Sequence, residues 1–110
     1  MTNQHEQLLF PLTEKELEDL RLGRQLRKHF HLKTMPRLDC VLWNKEKSTL
    51  NKNAYDPLRR QGISIANIPL GSPDFQTIAK GDCVTAGFGS FNITVVLQSQ
   101  LNKLKKFKGA

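Results

Sequence analysis

Arg37-Leu38-Asp39-Cys40-Val41-Leu42-Trp43 is the stretch whose reading decides the fold. Its apolar residues suit two periods at once. Val41, Leu42 and Trp43 in a row fit a strand. Leu38, Val41 and Leu42 stand at i, i+3 and i+4, one face of a short helix, and Pro36 just ahead suits a helix start. The spacing favours the helix.

Upstream, residues 1–12 turn from polar to apolar at Leu8, Leu9 and Phe10 and are closed by Pro11, which fits a loose end. Thr13 followed by Glu16 is a capping box and predicts a helix start. On a 3.6-residue wheel Leu20, Leu22, Leu26 and Phe30 share one arc, with Arg21, Arg24, Lys28 and His31 opposite. That predicts a helix with an apolar and a cationic face, weakened or bent at Gly23 and ended by Thr34-Met35-Pro36.

Downstream, the polar stretch 45–53 reads as a loop entering a second short helix through Leu50, Ala54 and Leu58. Pro57 either kinks that helix or begins a last turn capped by Asp56. From Gly62 the period becomes two: Ile63 and Ile65 form a strand running into a turn at Asn67. Residues 69–74 read as turns and Ile78 as isolated. A strand over Cys83–Ala86 then reverses through Gly87-Phe88-Gly89 into a β-rich run from Phe91 to Leu97. The expected core is Leu38, Val41, Leu42, Leu58, Ile63, Ile65, Val84, Ile93 and Val95, with Trp43 beside it.

Charge is the strongest global signal, at +7 over 110 residues. Residues 1–19 hold five acids against Lys15 alone, and residues 20–110 hold sixteen Lys or Arg against five acids. A field of that sign over a small domain attracts polyanions, phosphate chains above all. No apolar run approaches the ~18 residues of a membrane span. Cys40 and Cys83 form no C-x-x-C pattern, so they read as buried, reduced thiols, and no metal or small-molecule cofactor is implied. The N-terminus shows neither a signal peptide nor an Arg-rich presequence, which points to the cytoplasm, or to an organelle matrix if a presequence has been removed.

The central block resembles the alpha-L RNA-binding motif, the domain named after ribosomal small-subunit protein S-four. The family's opening Arg-Leu-Asp-x-x-Leu is matched by Arg37-Leu38-Asp39-Cys40-Val41-Leu42. Its Gly-Asp before a strand is matched by Gly81-Asp82-Cys83-Val84, and the Gly-Phe-Gly-Ser-Phe turn of some small members by residues 87–91. Between them the family's usual Ser-Arg-x-x-Ala is replaced by Asn51-Lys52-Asn53-Ala54. The resemblance implies an α+β fold in which two short helices pack on a small, mostly antiparallel sheet, with an added N-terminal helix and a basic C-terminal tail. The corresponding segments are 1–36, 37–98 and 99–110.

It also implies a non-catalytic protein that recognises structured RNA, ribosomal or transfer RNA in a ribosomal subunit or other translation-linked particle. The contacts would come from a basic helix-loop-helix surface carrying Arg37, Lys45, Lys47, Lys52, Arg59 and Arg60. Tyr55, set among polar residues, is a candidate for base stacking. Arg21, Arg24 and Lys28 on the first helix would add a cationic stripe, and Lys103, Lys105, Lys106 and Lys108 non-specific affinity. The rival reading is a protein–protein adaptor that keeps the fold without binding RNA. An enzyme is not indicated, because His29 and His31 at i and i+2 would point to different faces of a helix.

Overall fold

The computed structural model describes residues 6–33, 35–48 and 56–101. The elements run β1 (Glu6–Leu12), α1 (Glu14–Arg21), β2 (Leu26–Phe30), β3 (Leu38–Asn44), α2 (Asp56–Arg60), β4 (Ser64–Leu70), α3 (Ser72–Ala79), β5 (Val84–Gly87) and β6 (Phe91–Leu97), followed by a 3-10 turn over Gln98–Gln100. The fold is α+β, with two three-stranded sheets ordered β1-β6-β5 and β2-β3-β4. Each sheet has one parallel and one antiparallel pair, so the expected mostly antiparallel sheet is corrected to two mixed ones.

The chain forms two compact units, one from residues 1–18 with 72–110 and one from residues 19–71. In the first, β6 is central: Ile93 pairs with Leu8 on its parallel side and Ala86 on its antiparallel side. Phe10, Leu12, Phe75, Ile78, Ile93 and Val95 are buried. The expected loose end is thus the strand β1 from Glu6 onward. Pro11 is tolerated there because β1 is an edge, where a missing N–H breaks no ladder. The β5–β6 hairpin lies within a residue of its predicted bounds, with Gly89 at φ +79 in the turn. The Phe88 and Phe91 rings stack across it at 5.2 Å.

The capping box forms as expected: the Thr13 N–H donates to Glu16 Oε1 at 2.9 Å and the Glu16 N–H to Thr13 Oγ1 at 3.1 Å. The helix does not run on to Phe30. Gly23 adopts φ +102, the Arg24 N–H donates to Asp19 O and the Gly23 N–H to Leu20 O, a Schellman stop. Gly62 and Gly81 end α2 and α3 with the same pair of bonds. Beyond Gly23 the chain becomes β2, which the wheel missed because Leu26 and Phe30, four apart, also share one side of a strand.

In the second unit β3 is the middle strand, antiparallel to β2 and parallel to β4. The helix expected over residues 37–43 is therefore corrected to a strand. Every residue of β3 except Trp43 is buried, and a strand covered on both faces shows a continuous apolar run without the period of two. Val41 is the centre of one face, packed by Trp43, Leu58 of α2 and Ile65 of β4. β4 continues through Asn67 to Leu70 with no turn there, and residues 72–79, which overlap the turns expected over 69–74 and include the Ile78 read as isolated, form α3. Of the expected core, Leu38, Val41, Leu42, Ile93 and Val95 are fully buried, whereas Leu58, Ile63, Ile65 and Val84 are half-buried.

Cys40 is buried and Cys83 exposed, both as free thiols, which corrects the expectation that both are core residues. Burial pushes the Cys40 thiol from 9.0 up to about 12. The unfolded chain therefore loses this proton first as pH rises. The stability it contributes is intact below pH 9.0 and falls between there and about 12, with a slope of up to ~1.4 kcal/mol per pH unit. Urea unfolding of the native protein and Cys40→Ala between about pH 8.5 and 10.5 should show a shallower alkaline decline in the variant. A disulfide-exchange reagent should modify Cys83 in the folded protein and Cys40 only on unfolding.

Candidate nucleic-acid interface

All ten residues singled out as RNA contacts fall within residues 19–71; Lys52 and Tyr55 lie outside the described residues. The structure places the other eight at the two ends of the second unit's sheet and along its β2 edge. At the C-terminal end of β3 the chain turns through Lys45 and Lys47, with the Ser48 N–H donating to Asn44 O at 3.0 Å. The buried Asn44 side chain donates from Nδ2 to Leu20 O and Arg21 O, each at 3.2 Å, and accepts the Glu46 N–H on Oδ1 at 2.9 Å. It thereby supplies a donor to Arg21 O, which α1 leaves open at its C-terminus, and a second donor to Leu20 O, which also accepts the Gly23 N–H. It also fixes the Arg21–Arg24 turn beside the lysine turn, where a Cβ at Gly23 would lie 3.5 Å from Lys47 Cβ.

The opposite end carries Arg37, Arg59 and Arg60. Arg37 leads into β3, its carbonyl accepting from Ser64 N–H at 2.9 Å and its Nη1 donating to Gln61 O at 3.0 Å. Arg59 and Arg60 form the last turn of α2, where cations suit the helix dipole, and Arg59 pairs with Asp56 at 3.4 Å. A strand as long as β3 separates the two ends by about 20 Å. Between them runs β2, with Lys28 over the Phe30 ring at 5.9 Å from its centroid. The single helix-loop-helix surface expected from the sequence is thus two basic ends joined by a basic edge strand.

Charge divides sharply between the units. Residues 19–71 hold eleven Lys and Arg against four acids, and the remaining residues hold six of each. The whole formal charge of +7 therefore belongs to the second unit. Three of its four acids are engaged by Arg: Asp19 with Arg24 at 3.1 Å, Asp56 with Arg59, and Asp39 with Arg27, the last also in contact with the His29 ring. Arg21, Lys45, Lys47 and Arg60 are exposed and make no ion pair with another described residue.

Arg27, His29 and Asp39 form a further cluster that a helical reading of residues 24–30 hides. Read as a helix, β2 scatters Arg27 and His29; as a strand it puts them on one side, opposite Val41 and Asp39 of β3. The period-two signal that would have revealed this is the alternation of Leu26, Lys28 and Phe30 with Arg27 and His29. No helix among the described residues is long and apolar enough to cross a membrane. Comparison of the chain with protein-family models, curated proteins and solved structures yields no match.

Proposed function

We propose that the chain is an RNA-binding protein that recognises structured RNA through its second unit, residues 19–71. The observation that carries this reading is the charge partition: the first unit is balanced and the second holds the entire excess of cations. Most of its acids are already engaged, so the exposed Lys and Arg face solvent with little local compensation. A phosphate chain is the polyanion such a surface suits, Lys acting as point charge and Arg as a forked donor. The alpha-L resemblance contributes the choice of structured RNA in a ribosomal or other translation-linked particle. In this reading the motif's basic positions act from strand ends and the α2 terminus. Duplex RNA offers shape and phosphates more than readable base edges, so recognition is structural.

The test is a titration of the full chain against an RNA hairpin and a matched single strand at two salt concentrations. With about four phosphates neutralised, a fourfold rise in salt should weaken hairpin binding by roughly 100-fold. Reversing Arg59 and Arg60 to Glu, or Lys45 and Lys47 to Glu, should each weaken it by about tenfold or more. Unchanged affinity in both pairs would refute the assigned surface. Absence of binding at low salt would leave the adaptor reading in its place.

A further inference from the structure

Asp39 is the one buried acid of the second unit, on the central strand with its side chain 11% exposed. A buried carboxylate needs partners, and two residues of the neighbouring edge strand supply them. His29 Nδ1 lies 2.7 Å from Asp39 Oδ1 and Arg27 Nε lies 3.7 Å from Oδ2. A carboxylate only accepts hydrogen bonds, so Nδ1 carries the proton and the ring's other nitrogen, Nε2, is left for another partner. The His29 and Arg27 side chains remain 57% and 52% exposed, so both reach solvent from a common anchor. At 3.7 Å the guanidinium is held by charge rather than by a fork-to-fork bond.

We propose that Arg27 and His29, held side by side on Asp39, form a phosphate-binding site on the β2 edge that engages fully when His29 is protonated. The proposal rests on the RNA reading and names a contact within it. With imidazole neutral, Nε2 is an acceptor and repels a phosphate oxygen; with imidazolium it donates. Arg27, two residues away on the same side of an extended strand and so about 7 Å along it, offers its outer guanidinium nitrogens to the same or an adjacent phosphate. The other neighbours on this face, Val41, Trp43, Ile65 and Leu58, are uncharged. α2, which packs here through Leu58, carries Asp56 and Arg59, paired with each other, and Arg60. Lys28 falls on the opposite side of β2.

Two measurements on the full chain test the site. In the first, inorganic phosphate is titrated while the His29 ring is followed by NMR at about pH 6 and pH 8. Saturable shifts at the lower pH that are lost in Arg27→Gln support the proposal; their absence overturns it. In the second, hairpin RNA affinity is measured at the same two pH values. The native protein should bind about tenfold more tightly at the lower pH. His29→Gln should abolish that difference, and Lys28→Gln should keep it while lowering affinity overall. A purely structural role for the cluster predicts no phosphate shifts and equal pH profiles in native and His29→Gln proteins. Phosphate binding without RNA binding would retain the site and refute the RNA reading alone.

Discussion

Replacing Asn44 by Leu is expected to destabilise the protein by about 3 kcal/mol and lower its Tm by roughly 15 °C. The substitution keeps the branching and heavy-atom count of the side chain of a residue that is 4% exposed but removes both ends of its hydrogen bonding. Arg21 O loses its Nδ2 donor and the Glu46 N–H its Oδ1 acceptor, while Leu20 O keeps only the Gly23 N–H. Each group left unsatisfied costs about 1–3 kcal/mol where it is shielded from water, with the exposed ones at the low end. Asn44→Asp is the informative companion: it keeps the acceptor and shape but removes the donor and adds a buried charge, so it should be no better than Leu. A loss below about 1 kcal/mol by chemical denaturation for both variants would show that water replaces the side chain.

The second large effect is expected at Ile93. It is fully buried at the middle of β6, flanked by Leu8 and Ala86 on the two neighbouring strands. Ile93→Ala removes three heavy atoms where the partners are fixed by the ladder, so little collapse can fill the space. A loss of about 3–4 kcal/mol is expected from the transfer and cavity contributions together. Val84→Ala in β5, at a half-buried site, should cost about 1 kcal/mol. Measuring both by urea titration gives the contrast, and equal losses would contradict the central placement of β6.

In the first unit the start of α1 and the β5–β6 hairpin were legible from sequence, whereas β1 and α3 were not. Thr13 and Glu16 announce the start of α1 by paired hydrogen bonds that depend on nothing distant, and the glycine-rich turn marks the β5–β6 hairpin equally locally. In the second unit β2 and β3 were not legible, for two physical reasons. β3 is covered on both faces, so its sequence carries no alternation, and its three apolar residues at helical spacing gave the wrong period. The four-residue interval from Leu26 to Phe30 belongs to both a helix and a strand; what separates them is the positive φ at Gly23, visible only once its two capping bonds are seen. The basic residues themselves were legible as composition. Their distribution was not, since whether Arg37 and Lys45 share a surface depends on whether the chain between them coils or extends.

The four outer strands of the two sheets are defended in three ways. β1 and β4 carry Pro11 and Pro69, β5 is only four residues long, and β2 bears Arg27, Lys28 and His29 in succession. Open strand edges are templates for fibrillar stacking, and proline, brevity and charge are three ways to blunt them. On β2 that protection rests on cations alone. Whatever neutralises those cations also removes the barrier to edge-to-edge association, so the charge on that edge is what keeps neighbouring copies apart.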